Sequence, residues 1–161
     1  MVSIDDYEFG IRNSPVEVAY ILTEGGELLF SKSGDINVIG FTEDELRLIA
    51  GNVLTHNHPS GSSFSEEDIR FLLANLPIEL RVITSKYRHS MMLPDDPGMV
   101  FFRLRSTVDR IYVQVQTELR AALRQRNISR VEANQQFWHQ IWVNVSEELG
   151  LDYFREEWLD E

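Results

Sequence analysis

The chain has 161 residues, enough for one ordinary domain with a small appendage, and its 43% hydrophobic content can fill a core. Fifteen Lys and Arg stand against 26 Asp and Glu, a formal charge of −11 that repels phosphate backbones and argues against nucleic acid as a partner. The absence of cysteine excludes disulfides, thiolate zinc sites, iron–sulfur clusters and cysteine nucleophiles together, leaving four histidines and the carboxylates as strong metal ligands.

The opening MVSIDDYEFG is acidic where a signal peptide is basic and then apolar, and nowhere is there an apolar run of about 18 residues. The expectation is a soluble, cytoplasmic protein with no membrane partner. Residues 1–15 end in Asn-Ser-Pro and read as an extended, loosely packed leader. Val16 to Leu22 is rich in β-formers, Gly25-Gly26 marks a turn, and Glu27 to Phe30 resumes the strand pattern, which predicts a hairpin. A third strand, Ile36 to Ile39, follows the Ser33-Gly34-Asp35 turn. Thr42 and Glu45 form a capping box for a helix whose apolar side is Leu46, Leu48 and Ile49, ended by Gly51. Asn52 to Thr55 is a short strand running directly into His56-Asn57-His58-Pro59-Ser60-Gly61.

Ser65-Glu66-Glu67-Asp68 then opens a second helix, with Ile69, Leu72, Leu73 and Leu76 at helical spacing and Pro77 at its close. Leu80 to Thr84 and Ser90 to Leu93 predict two strands, and Met99 to Leu104 another after the Pro94–Gly98 turn. From Ser106 the chain turns helical, with a stripe of Val108, Ile111, Tyr112, Val115, Leu119 and Leu123. A further helix from Ser129 carries Phe137, Ile141, Val145 and Leu149 and stops at Gly150. Trp138 and Trp142 lie beside that stripe as packing residues. The acidic stretch from Asp152 to Glu161 reads as a solvated end in which Tyr153, Phe154 and Trp158 can dock. The order of elements predicts an α/β (α+β) fold, a mixed sheet flanked by helices, with a domain over 16–104 and a helical extension over 105–161.

Chemistry concentrates where the strand before His56 runs out. Side chains two apart on a strand share a face, so the imidazoles of His56 and His58 converge on one point, which is half of a tetrahedral zinc site. Asp68 begins a helix ten residues later, and a tight Pro59–Phe64 loop brings its carboxylate back to the strand end. Glu17, at the start of an earlier strand, is a second carboxylate free to act as a base. Two histidines, a carboxylate and a water make an open, catalytic kind of site.

Glu17, then His56-x-His58-Pro59, then Ser65-x-x-Asp68 resembles the JAB/MPN domain with its JAMM signature. The string Thr55-His56-Asn57-His58-Pro59-Ser60-Gly61 is similar to the RadC-like and phage-associated bacterial branches of that superfamily. The resemblance spans residues 15–104 and implies a cytidine-deaminase-like architecture. It further implies that His56, His58 and Asp68 hold Zn²⁺, that Glu17 accepts a proton from the metal-bound water, and that Ser65 stabilises the oxyanion of a peptide or isopeptide under hydrolysis. Nine residues lie between His58 and Asp68, one fewer than the family's common pattern, and Glu67 and His89 stand as substitute ligands should Asp68 fall out of reach. His139, on a helix beside tryptophans, reads as structural.

Two functions follow from different classes. One is a zinc metallopeptidase or isopeptidase acting on a peptide or a protein conjugate. The other is a catalytically silent binding or scaffold module, phage-derived in type, that forms a homodimer or takes a protein partner through its C-terminal helices.

Overall fold

A computed structural model describes residues 2–34 and 40–159. The strand expected at Ile36–Ile39 lies outside the described residues. In chain order the elements are α1 (Ile4–Ile11), β1 (Val18–Leu22), β2 (Leu28–Ser33), α2 (Glu43–Ile49), β3 (Val53–Asn57), α3 (Glu66–Asn75), β4 (Glu79–Ile83), β5 (Tyr87–Met92), α4 (Gly98–Arg124), α5 (Arg130–Leu149) and β6 (Asp152–Glu157). The strands form one six-stranded sheet in the order β2-β1-β3-β4-β5-β6. Every neighbouring pair is antiparallel except β3 and β4, which run parallel and are joined through α3. The fold is therefore mixed α/β, as the order of elements predicts.

The β3–α3–β4 unit explains where a site belongs. A parallel pair needs a crossover, and the carboxyl end of its first strand opens into the crevice where the connecting helix starts. All five residues of β3 are buried, because both faces of the sheet are covered at its centre. On one face Ala19, His56, Val82, His89 and Arg155 lie side by side across five strands. Phe64, Ile69, Leu72, Leu104, Val108, Ile111, Ile141, Trp142 and Val145 join that face's Leu54, Leu80 and Met91 in one core, so α3, α4 and α5 pack on it together. On the other face α1 covers Thr55, whose hydroxyl donates to Glu8 at 3.0 Å.

Three expectations are corrected. Residues 1–15 are not an extended leader: Ser3 and Asp6 form a capping box, and α1 buries Glu8 and Ile11 against the sheet. Met99 to Leu104 is helical, the first turns of α4, since Val100, Leu104, Val108, Ile111 and Val115 are buried at i, i+4, i+8, i+11 and i+15 while Met99, Phe101 and Phe102 stay exposed. Apolar residues on both sides of that turn imitate a strand. The acidic end is also not merely solvated: Asp152–Glu157 is the edge strand β6, paired to β5, with Glu156 3.1 Å from Arg88 and the Trp158 indole N–H donating to the Thr84 carbonyl at 2.9 Å. Its carboxylates answer the cations of the neighbouring strand. Gly150, at φ 72°, supplies the left-handed turn between α5 and β6 that a side chain would strain.

Candidate metal centre

His56 is the fourth residue of β3 and His58 the first beyond it, so the strand's period of two aims both rings to the same side. The loop that follows is tight: Gly61, at φ 78°, lets its N–H turn back to the His58 carbonyl at 3.0 Å. Ser65 then caps α3. Its backbone N–H donates to Asp68 Oδ2 at 2.7 Å and its hydroxyl donates to the same oxygen at 3.0 Å, while the Asp68 N–H donates to Ser65 Oγ at 3.2 Å. That box fixes the Asp68 carboxylate over the strand end.

The three side chains meet. His56 Nε2 and His58 Nε2 face each other at 3.1 Å, His56 Nε2 is 3.2 Å from Asp68 Oδ1, and His58 Nε2 is 3.4 Å from Asp68 Oδ2. Zinc–nitrogen bonds of about 2.0–2.1 Å in a tetrahedron set neighbouring ligand atoms roughly 3.3 Å apart, close to the separation of the two Nε2 atoms, and one ligand atom from each of the three residues lies within 4.8 Å of the others. His56, His58 and Asp68 thus form a group that can hold a metal ion. The nine-residue spacing keeps Asp68 in reach. Among the described residues neither substitute joins the group: Glu67 is exposed at the rim, and His89 is turned to Tyr153.

Hydrogen bonding on the far side of the His58 ring favours ligation. His58 Nδ1 lies 3.1 and 3.2 Å from the carbonyls of Ser62 and Ser63, which only accept, so Nδ1 carries the proton and Nε2 presents its lone pair. The lone pair of His58 Nε2, aimed at His56 Nε2 and the Asp68 carboxylate, is placed to take a cation between them.

Electrostatics agree. Burial disfavours the charged His56, but the adjacent Asp68 carboxylate outweighs it, with Glu17 assisting, and the His56 pKa is raised. Burial and the neighbouring His56 lower that of His58. Burial alone would raise Asp68, yet His56, His58 and the Ser65 N–H hold it well below the usual carboxylate range. On the opposite face of the same strands, Glu8 is fully buried within 3.2 Å of Arg81 and 2.7 Å of Arg88, and Arg81 also meets Glu79 at 2.8 Å. There the carboxylates have guanidinium partners. Among the described residues Asp68 has no guanidinium or ammonium partner and faces the two imidazoles instead.

A cavity of about 460 Å³ opens over the group, its lining including the polar Glu17, Ser65 and Glu67 and the apolar Ala19, Phe41, Leu54, Phe71 and Leu80. Glu17 therefore stands at the site, half-buried, with its pKa raised by burial and by Asp68 against the opposing pull of His56. Asn57, which sequence reasoning passes over, holds it there. Its side chain accepts from the Val18 N–H at 2.6 Å and donates to the Val16 carbonyl at 3.0 Å, gripping the backbone on either side of Glu17. A polar residue between two histidines on a wholly buried strand was the available signal.

No protein-family model matches the chain, and no curated protein or solved structure matches it. No helix among the described residues is long and apolar enough to cross a membrane.

Proposed function

We propose that the protein is a zinc-dependent peptidase or isopeptidase of the JAMM type, with the JAB/MPN arrangement of Glu17, His56, His58, Ser65 and Asp68. The observation that carries this reading is the convergence of His56 Nε2 and His58 Nε2, 3.1 Å apart, on the Asp68 carboxylate, His56 at 3.2 Å from Oδ1 and His58 at 3.4 Å from Oδ2, beside a cavity that Glu17 also lines. Zinc held by these three residues supplies Lewis acidity and lowers the pKa of water towards about 7.

The remaining chemistry belongs to the chain. Glu17, whose burial moves its pKa towards neutrality, takes a proton from the attacking water and returns it to the departing amine as the C–N bond breaks. Ser65 lines the cavity and is the hydroxyl that donates to the oxyanion, exchanging its bond to Asp68 for that one. Glu17 and Glu67 at the opening favour a basic or neutral peptide, and the Phe41–Phe71 wall favours an apolar side chain next to the scissile bond. Incubating the zinc-loaded protein with a mixed-sequence peptide library and reading products by mass spectrometry tests this. Cleavage that vanishes with a chelator and in Glu17→Gln is expected; cleavage that survives both contradicts it.

A second reading, a binding module without turnover, draws on Met99, Phe101 and Phe102, which lie 62%, 67% and 81% exposed at the start of α4. Of the tryptophans on the C-terminal segment, Trp142 is fully buried, while Trp138, whose ring centroid is 6.0 Å from that of Trp142, and Trp158 are half-buried. Light scattering of the wild type and Phe102→Glu decides it: an assembly lost in the variant supports the module, and monomers in both remove it.

A further inference from the structure

The loop that carries His58 towards α3 is held from the far end of the chain. Residues 59–65 form no helix or strand of their own. Within them, Phe64 is fully buried and its carbonyl accepts the Trp142 indole N–H of α5 at 2.6 Å. Ser63 Oγ lies 3.0 Å from the Tyr153 hydroxyl of β6. That hydroxyl is a hub, 3.1 Å from His89 Nδ1 and 2.7 Å from His139 Nδ1. Burial holds His89 near pKa 3 and His139 near 4, so both are neutral partners. One phenol proton and two lone pairs serve the three contacts. Among the described residues His89 Nε2 is buried with no partner and no third His, Asp or Glu joins these rings in a group that could hold a metal ion.

The same segment fixes a ligand. The carbonyls that accept from His58 Nδ1 are those of Ser62 and Ser63. A chain of contacts thus runs from Tyr153 and Trp142 through the backbone of residues 62–64 to the ring whose other nitrogen faces His56. We propose that Tyr153 and Trp142 are positioning residues for His58, holding the Ser62–Phe64 backbone so that the imidazole keeps its Nδ1–H tautomer with Nε2 free. The C-terminal helix and strand thereby complete the site. For metal binding the inference rests on the reading of His56, His58 and Asp68 as ligands, while its effect on the ring does not require a metal.

The test uses the full chain, titrated with Co²⁺ by visible absorption and, metal-free, examined by long-range ¹H–¹⁵N correlation of the histidine rings. Losing an outer partner of a ligating histidine lowers affinity by about 10–100-fold. Tyr153→Phe and Trp142→Phe are expected to weaken Co²⁺ binding on that scale, to alter the absorption bands, and to mix the His58 tautomers. Ile141→Val, buried on the same helix and without a hydrogen bond to the loop, is expected to lower the melting temperature without touching either readout. If Tyr153→Phe does not fold, Ser63→Ala breaks the same link at its other end, with the same expectation. Unchanged cobalt affinity and an unchanged single His58 tautomer in folded variants overturn the positioning role and leave the metal reading standing. A wild type that binds no cobalt, yet whose His58 tautomer responds to Tyr153→Phe, overturns the metal reading and supports the positioning role.

Discussion

Helices α1 and α3 open on the same four-residue arrangement. In α1 the Ser3 N–H and hydroxyl each donate to Asp6 Oδ2 at 2.8 Å, and the Asp6 N–H donates back to Ser3 Oγ at 3.2 Å. In α3 the corresponding bonds of Ser65 and Asp68 are 2.7, 3.0 and 3.2 Å. Both aspartates have lowered pKa values, Asp6 through the Ser3 backbone and hydroxyl, Asp68 through the two histidines and the Ser65 N–H against its burial. Locally the two boxes are one device. Asp6 spends its free carboxylate oxygen on solvent; Asp68 turns its own towards His56 and lies within reach of Glu17. Ser-x-x-Asp starts a helix at both these places, while a third copy, Ser106-x-x-Asp109, lies inside α4; only at α3 does a strand end deliver imidazoles to it.

Substitutions made in parallel at the two helices sharpen that contrast. The largest effect is expected from the carboxylate that only α3 faces: Glu17→Gln should reduce peptide hydrolysis by about 10²–10⁴-fold while zinc content stays at wild-type level, measured by initial rates beside elemental analysis. Next, Asp68→Asn should weaken zinc binding by on the order of 100-fold or more in a competition titration, exceeding the cost of an outer-shell loss, whereas Asp6→Asn should leave it unchanged. Equal losses in both would dissolve the distinction.

Acid separates the helices' surroundings as well. His89 and His139, behind α3, are held neutral near pKa 3 and 4, below the roughly 6.5 of an unfolded histidine. The unfolded state binds their protons first, so stability is full above about pH 6.5 and falls as the pH drops towards 4. Melting temperatures of the metal-free chain between those limits should decline, and His139→Gln should flatten the decline. Among the described residues no imidazole packs on Asp6, whose lowered pKa stabilises the fold above about pH 4 and loses that contribution only as the pH falls below it. Smallest of all, Ser3→Ala and Ser65→Ala should each cost about 1 kcal/mol in denaturant unfolding, as capping serines do, with zinc affinity reduced in the second alone.

What was legible in the sequence follows the same division between local and tertiary causes. His56-x-His58 on one side of a strand and Ser65-x-x-Asp68 at a helix start depend on periods of two and on a capping box, and both are realised. The hairpin of β1 and β2, the βαβ unit and the stripe of α5 are likewise local patterns. The α1 box is equally local, but Asn13-Ser14-Pro15 has the pattern that closes an extended, loosely packed leader and so masks it. Strand β6 depends on partners: Glu156 and Glu157 look like tail residues until Arg88 and Lys86 stand 3.1 and 3.8 Å away. The Asn57 grip on Glu17 joins residues about forty positions apart, and the Tyr153 hub joins Ser63 across ninety. No periodicity encodes contacts of that kind.

Metal content measures the difference between the two boxes most directly. Purified wild-type chain, equilibrated with zinc and desalted, should carry one zinc per molecule by elemental analysis, and His56→Ala should carry none while keeping its fold by circular dichroism. A wild type without stoichiometric zinc, or a His56→Ala variant that retains it, would contradict the assignment of His56, His58 and Asp68 as a metal centre.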